Sequence, residues 1–194
     1  MSDTIIRTAD TSAPILDVLA ERWSPRSFDS TIAVDEKILA SALEAARWSA
    51  SAANLQPWRF IVARRGTPEF DTVVAGLMGF NTAWAGSAGV LIVAVAETVD
   101  AEGKPLRWAE YDLGQAMAHL SVQAHSDGLH VHQMGGILAD QLRESFGLDE
   151  RFVPVSVAAL GVLGSPDALD EKTRERELAP RTRRPLAESV VVNA

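Results

Sequence analysis

Seven consecutive apolar residues, Val90-Leu91-Ile92-Val93-Ala94-Val95-Ala96, constrain this chain more than any other feature. A strand that meets water on one side alternates apolar with polar, so an unbroken run rich in β-branched residues predicts a central strand covered on both faces. Val155 to Val162 is a second such run, and Arg59-Phe60-Ile61-Val62-Ala63 predicts a third strand.

Helical periodicity fills the intervals. Thr11-Ser12 and Pro14 supply caps for a helix bearing Ile15, Leu16, Val18 and Leu19 that stops near Arg22. Asp35-Glu36 opens a second helix, with Ile38, Leu39, Ala42, Leu43 and Ala46 at three- and four-residue spacing. Thr67-Pro68 caps a third running to about Leu77, and Leu113, Ala116, Met117, Leu120 and Ala124 define a fourth from Trp108 to about Ser126. A fifth follows Gly135-Gly136, from Ile137 to Phe146, where Gly147 ends it. Helices and strands do not alternate regularly, so the expected class is α+β rather than a doubly wound sheet.

From Ser165 onward the chain is polar. The mixed-sign run Asp170 to Glu177 reads as a solvated face. The last part, Ser189-Val190-Val191-Val192, reads as a strand-like stub on an extended arm (residues 165–194) that packs on a partner subunit. With 194 residues, 47% of them hydrophobic, residues 1–194 are expected to form one domain.

Composition narrows the chemistry. There is no cysteine, which excludes disulfides, thiolate nucleophiles and cysteine-ligated iron or zinc. A net charge of −8 argues against nucleic acid or an anionic membrane as partner. No apolar run approaches the roughly 20 residues of a spanning helix, and the opening residues lack a signal-peptide layout, so a soluble cytoplasmic protein is expected. G-x-G-x-x-G, Walker and G-x-S-x-G motifs are all missing. The histidines at 119, 125, 130 and 132 lie close in sequence without a carboxylate at helical ligand spacing, and no metal site is expected.

Three segments look unlike core or surface filler. Arg22-Trp23-Ser24-Pro25-Arg26-Ser27-Phe28 sets two guanidiniums and two hydroxyls around a fixed turn. Asn54-Leu55-Gln56-Pro57-Trp58 places two carboxamides before a strand, and Arg181-Thr182-Arg183-Arg184-Pro185-Leu186 gathers cations near the other end. Arginine forks suit phosphate, and carboxamides can both donate and accept.

In this order the segments resemble the nitroreductase family: its R-x-S-x-R-x-F stretch, its S-x-x-x-N-x-Q-P-W loop and its closing R-x-R-x-P-L. Trp108 to Gly114 with Gly128-Leu129 is similar to the family's long central helix, and Met134-Gly135-Gly136 to its flavin-edge loop. The likeness spans about residues 15 to 190. It implies a central, mainly antiparallel sheet flanked by helices, flavin mononucleotide (FMN) as cofactor, and a homodimer whose two subunits line each site. Carried over by position, it implies that Arg22, Trp23, Ser24 and Arg26 contact the phosphate, ribityl chain and ring edge. Asn54 and Gln56 would lie along the ribityl and pyrimidine side. Arg181 and Arg183 would grip the phosphate, and Met134, Gly135 and Gly136 would face the central ring nitrogen. The implied activity is hydride transfer from NAD(P)H through the flavin to a small oxidised acceptor, with no catalytic side chain. A flavin-binding protein without activity, or a relative that fragments reduced flavin, stays open. Ala50 stands where the family usually has proline, Ala52 where serine is common, and Trp23 where a basic residue is more frequent.

Overall fold

A computed structural model describes residues 7–192. Four strands, β1 (Trp58–Arg64), β2 (Val90–Glu97), β3 (His130–Met134) and β4 (Phe152–Gly161), form one sheet in the order β1-β2-β4-β3. Every pairing is antiparallel. Helices flank the sheet, giving an α+β architecture.

The run at 90–96 explains the layering. All of β2 is buried, and its residues alternate between two cores. Ile92, Ala94 and Ala96 face α2 (Glu36–Arg47) and α5 (Ala109–Ser126), meeting Leu39, Ala42, Leu113, Met117 and Leu120. Leu91, Val93 and Val95 face the other side, where α3 (Pro68–Ala75), α4 (Thr82–Ala85) and α6 (Ala139–Ser145) supply Phe70, Val73, Trp84 and Leu142. Each large apolar side chain buried this way contributes about 1.5–3 kcal/mol. A one-residue slip of β2 would exchange the two sets of side chains between cores already packed for the other.

Local signals set several helix starts. Asp35 accepts from Lys37 N at 2.7 Å, and Thr67 Oγ1 accepts from Phe70 N at 3.3 Å with Pro68 in the first turn. α1 (Asp17–Glu21) departs from expectation. Thr11, Ser12 and Pro14 lie upstream of it, no side chain caps it, and Ile15 and Leu16 are 46% and 69% exposed instead of buried.

Further corrections concern β3 and the C-terminal region. His130 to Met134 is a strand that periodicity does not reveal, and α6 begins at Ala139, two residues later than expected. The mixed-charge run is not a wholly solvated face: α7 (Glu171–Leu178) buries Thr173 and Glu177 completely. Ser189 closes a short helix, α8 (Leu186–Ser189), and no strand forms among the described residues 190–192.

Candidate functional site

The chain leaves α1 in extended conformation at Arg22 (φ −61°, ψ 137°) and runs beside β3. Trp23 is buried, edge-on to His130 with ring centres 6.3 Å apart, and carries the Arg7 guanidinium 4.6 Å above its own ring. Two residues on, the His132 Nδ1–H donates to the Pro25 carbonyl at 2.9 Å. Burial pushes both His130 and His132 down to about 4, so they are neutral at physiological pH. The segment is then pinned to the end of β4: Phe28 bridges Leu163, and Gly164 N donates to Ser27 O at 3.0 Å. A Cβ at Gly164 would lie 2.6 Å from the Phe28 carbonyl carbon, so only glycine fits there. Residues 22–26 thus run alongside β3, and the seam between the two, here termed the trench, extends over four strand steps or about 13 Å.

One end of the trench is cationic. Arg22 is held below its ordinary pKa by burial and then by neighbouring Arg183, and Arg181 by burial and then by Arg22, Arg183 and Arg7. Arg181 spends its guanidinium on backbone: Nη1 donates to the Arg7 carbonyl and to Ala20 O at 2.7 Å, and Nη2 donates to Arg22 O at 2.9 Å. Arg183 is exposed, its Nη1 donating only to Thr182 O at 2.8 Å. Among the described residues none of Arg7, Arg22, Arg181 and Arg183 has a carboxylate at ion-pair distance. Four gathered guanidiniums without a counter-ion suit an anionic ligand.

The other end is lined by backbone. The Gly136 carbonyl accepts from Met78 N at 2.9 Å and Asn81 Nδ2 at 3.2 Å, which fixes the glycine pair. The N–H groups of Gly135 and Gly136 meet no turn or side-chain acceptor among the described residues, and a Cβ at Gly135 would stand in open space. Arg26 reaches this end. Its guanidinium lies 5.7 Å from the Phe80 ring centre, and its Nε is buried without a partner. Ser24 is half-buried along the trench, whereas the Met134 side chain points into the core.

The loop after α2 lies elsewhere. Ala53, Asn54 and Gln56 all adopt positive φ (50°, 57° and 50°), an unfavourable conformation for side-chain-bearing residues. Four backbone N–H groups hold it: Ala52 N donates to Asp112 Oδ2 at 3.0 Å, Asn54 N to Ser51 O at 3.0 Å, Leu55 N to Ala52 O at 3.1 Å and Gln56 N to Ser51 Oγ at 3.0 Å. Asp112 is in the first turn of α5, while His125, within electrostatic reach of Arg22 and Arg181, is in its last. The thirteen residue steps from one to the other span about 20 Å of helix. One chain therefore assembles Arg22, Trp23, Ser24, Arg26, Met134, Gly135, Gly136, Arg181 and Arg183, and leaves Asn54 and Gln56 at the opposite end of α5. Beside that loop lies an open cavity of about 360 Å³ lined by Ala50, Ser51, Ala52, Trp108, Tyr111 and Asp112.

Glu177 escaped the reading of the sequence. Its carboxylate, 0% exposed, sits behind Arg26 and Ser27. The available signal was its four-residue spacing from Thr173 after the capping residue Asp170, which puts both on one helix face. Among the described residues no three His, Asp or Glu side chains converge as a metal site requires, and no helix is long and apolar enough to cross a membrane.

Comparison with known proteins identifies the family. The nitroreductase family profile matches residues 19–70 and 68–162, and the chain belongs to the nitroreductase family. It is 36% identical over 132 residues to the uncharacterised 15.4 kDa protein of the ask 5′ region of Mycolicibacterium smegmatis, covering 64% of this chain and 88% of that protein. It is 24% identical over 194 residues to the provisionally named NAD(P)H nitroreductase YdgI of Bacillus subtilis (strain 168), covering 81% of this chain and 90% of the relative. A crystal structure described as the oxidoreductase containing FMN superposes with a TM-score of 0.87 at 34% identity, covering 96% of this chain and 94% of that one.

Proposed function

We propose that this protein is an NAD(P)H-dependent FMN oxidoreductase that passes hydride to a small oxidised acceptor, such as a nitroaromatic or a quinone, in two alternating half-reactions. The observation that carries this reading is the arginine cluster without a carboxylate, one trench-length from two open backbone N–H groups. When bound, FMN supplies the two-electron hydride chemistry that this cysteine-free chain lacks among its own side chains.

The residues divide the work. Arg22 and Arg183 hold the phosphate through charge-assisted hydrogen bonds worth on the order of 1.5–3 kcal/mol each. Arg181, whose donors close on carbonyls, shapes the backbone from which Arg22 projects. The Gly135 and Gly136 amides donate to the ring edge where charge develops, and Arg26 adds a cation there. No side chain acts as acid or base. The positions of Asn54 and Gln56 support a homodimer: a second copy delivers its loop to this trench, and the exposed Trp48 (71%), Trp108 (51%) and Tyr111 (65%) furnish an apolar contact surface. Val191, 93% exposed on the C-terminal arm, offers a second apolar contact for that copy. The cytoplasm, which supplies NAD(P)H, is the compartment this activity fits.

The test is spectroscopic. The purified protein is yellow with FMN, bleaches with NADPH or NADH without oxygen, and regains its colour on addition of a quinone or nitroarene. A colourless wild-type protein that gains no colour from added FMN refutes the proposal. Light scattering at micromolar concentration reports a dimer, and a monomer contradicts the shared site.

A further inference from the structure

Glu177 is a fully buried carboxylate whose ion-pair partner among the described residues, Arg26, holds its guanidinium at a distance rather than in a close fork. Both its oxygens are used. Oε1 accepts from Arg26 N at 3.0 Å, Ser27 N at 3.1 Å and Ser27 Oγ at 2.9 Å, and Oε2 from Arg26 N at 2.9 Å; Arg26 Nη1 stands off at 3.8 Å. A buried carboxylate is retained only where such donors replace water, and here two consecutive backbone N–H groups do so. Its own carbonyl and that of Ala179 accept from Arg7, whose carbonyl in turn accepts from Arg181. Arg181 then returns to the carbonyls of Ala20 and Arg22. Residues 177–181 and 20–27 are therefore laced together in both directions. Arg22 belongs to one strand of this lacing, and Arg183 follows six residues after Glu177 on the other.

We propose that Glu177 is a positioning residue that sets Arg22 and Arg183 in register as the two halves of one anion grip, without touching the ligand itself. This rests on the FMN reading above. It predicts that losing the carboxylate weakens recognition of the phosphate more than recognition of the ring, whose edge keeps the Gly135 and Gly136 amides while Arg26 loosens. Glu177→Gln keeps the volume but turns an NH2 group toward N–H donors, so one side of the lacing opens.

The experiment compares FMN with riboflavin, the same ring and ribityl chain without phosphate, by fluorescence titration of the full-length apoprotein. Wild type favours FMN, and in Glu177→Gln the FMN-to-riboflavin affinity ratio falls about 10- to 100-fold, riboflavin affinity falling far less than that of FMN. A folded variant that keeps the wild-type ratio, or loses both ligands equally, overturns the inference and leaves the FMN reading standing. A wild type that binds neither flavin overturns the FMN reading instead. If near-UV circular dichroism shows Glu177→Gln unfolded, Ser27→Ala carries the test by deleting one donor: a fall of about threefold in the ratio supports the proposal, and an unchanged ratio overturns it.

Discussion

At the arginine end of the trench the groups proposed to recognise FMN are side chains, mutually repelling and held by neighbours. At the glycine end they are backbone N–H groups placed by the chain's path past Met78 and Asn81. The difference decides how each end can be damaged. Charge is lost by truncating a side chain, whereas a backbone donor survives any substitution that leaves the path unchanged. A third region, the 52–56 loop, combines both habits: it holds carboxamides on a backbone that itself carries conformational strain.

The largest effect falls on the cationic end. Arg22→Ala with Arg183→Ala weakens FMN binding about 100- to 1,000-fold, or roughly 3–4 kcal/mol, while folding stability stays within about 1 kcal/mol. Titration and thermal melting measure the two, and a retained affinity would place the phosphate elsewhere. Next comes Gly164→Ala, whose Cβ meets backbone on the Phe28 side and cannot be relieved by a rotamer change. It costs about 3 kcal/mol of stability by denaturant unfolding, and a wild-type midpoint would show that the turn is free to shift.

Acid probes the wall between the two ends. His130 and His132 titrate near 4 in the folded protein and about 6.5 when unfolded, so the unfolded chain binds more protons throughout that interval. Stability is complete at pH 7 and falls by roughly 3 kcal/mol for each histidine as pH drops from about 6.5 to 4. His130→Phe flattens part of this slope in melts across that range, and an unchanged slope assigns it to other groups. The smallest effect is at Ala53, left-handed at φ 50°. Ala53→Gly raises stability by about 0.5–1 kcal/mol and leaves FMN affinity alone; a destabilised variant would mean that the methyl group packs in the dimer.

The centre of the fold was legible because an unbroken apolar run such as Val90 to Ala96 admits few alternatives. β3 was not. His130, His132 and Gln133 look polar, and only neighbours across the sheet make a neutral, buried His132 against Trp84 reasonable, with ring centres 4.5 Å apart. The three site segments stood out by residue type and their order matched a family. Even so, residue type did not distinguish Arg181, which closes on carbonyls, from Arg183, which faces solvent. Nor does sequence carry distance, so the 20 Å of α5 between the carboxamide loop and the arginines became visible only in three dimensions. Glu177 was hidden by its company: within a mixed-charge run one carboxylate looks like another until the partner segment is in place.

The bond from Glu177 to Arg26 joins positions 151 residues apart. A ribosome adding about 5–20 residues each second releases the end of β4 about ten residues, or roughly 0.5–2 s, ahead of α7. In that interval the nascent chain has its core while residues 22–27 lack the Glu177 lacing. On the proposed reading cofactor loading follows that interval, and a chain interrupted after β4 would resemble the finished protein in shape while remaining colourless.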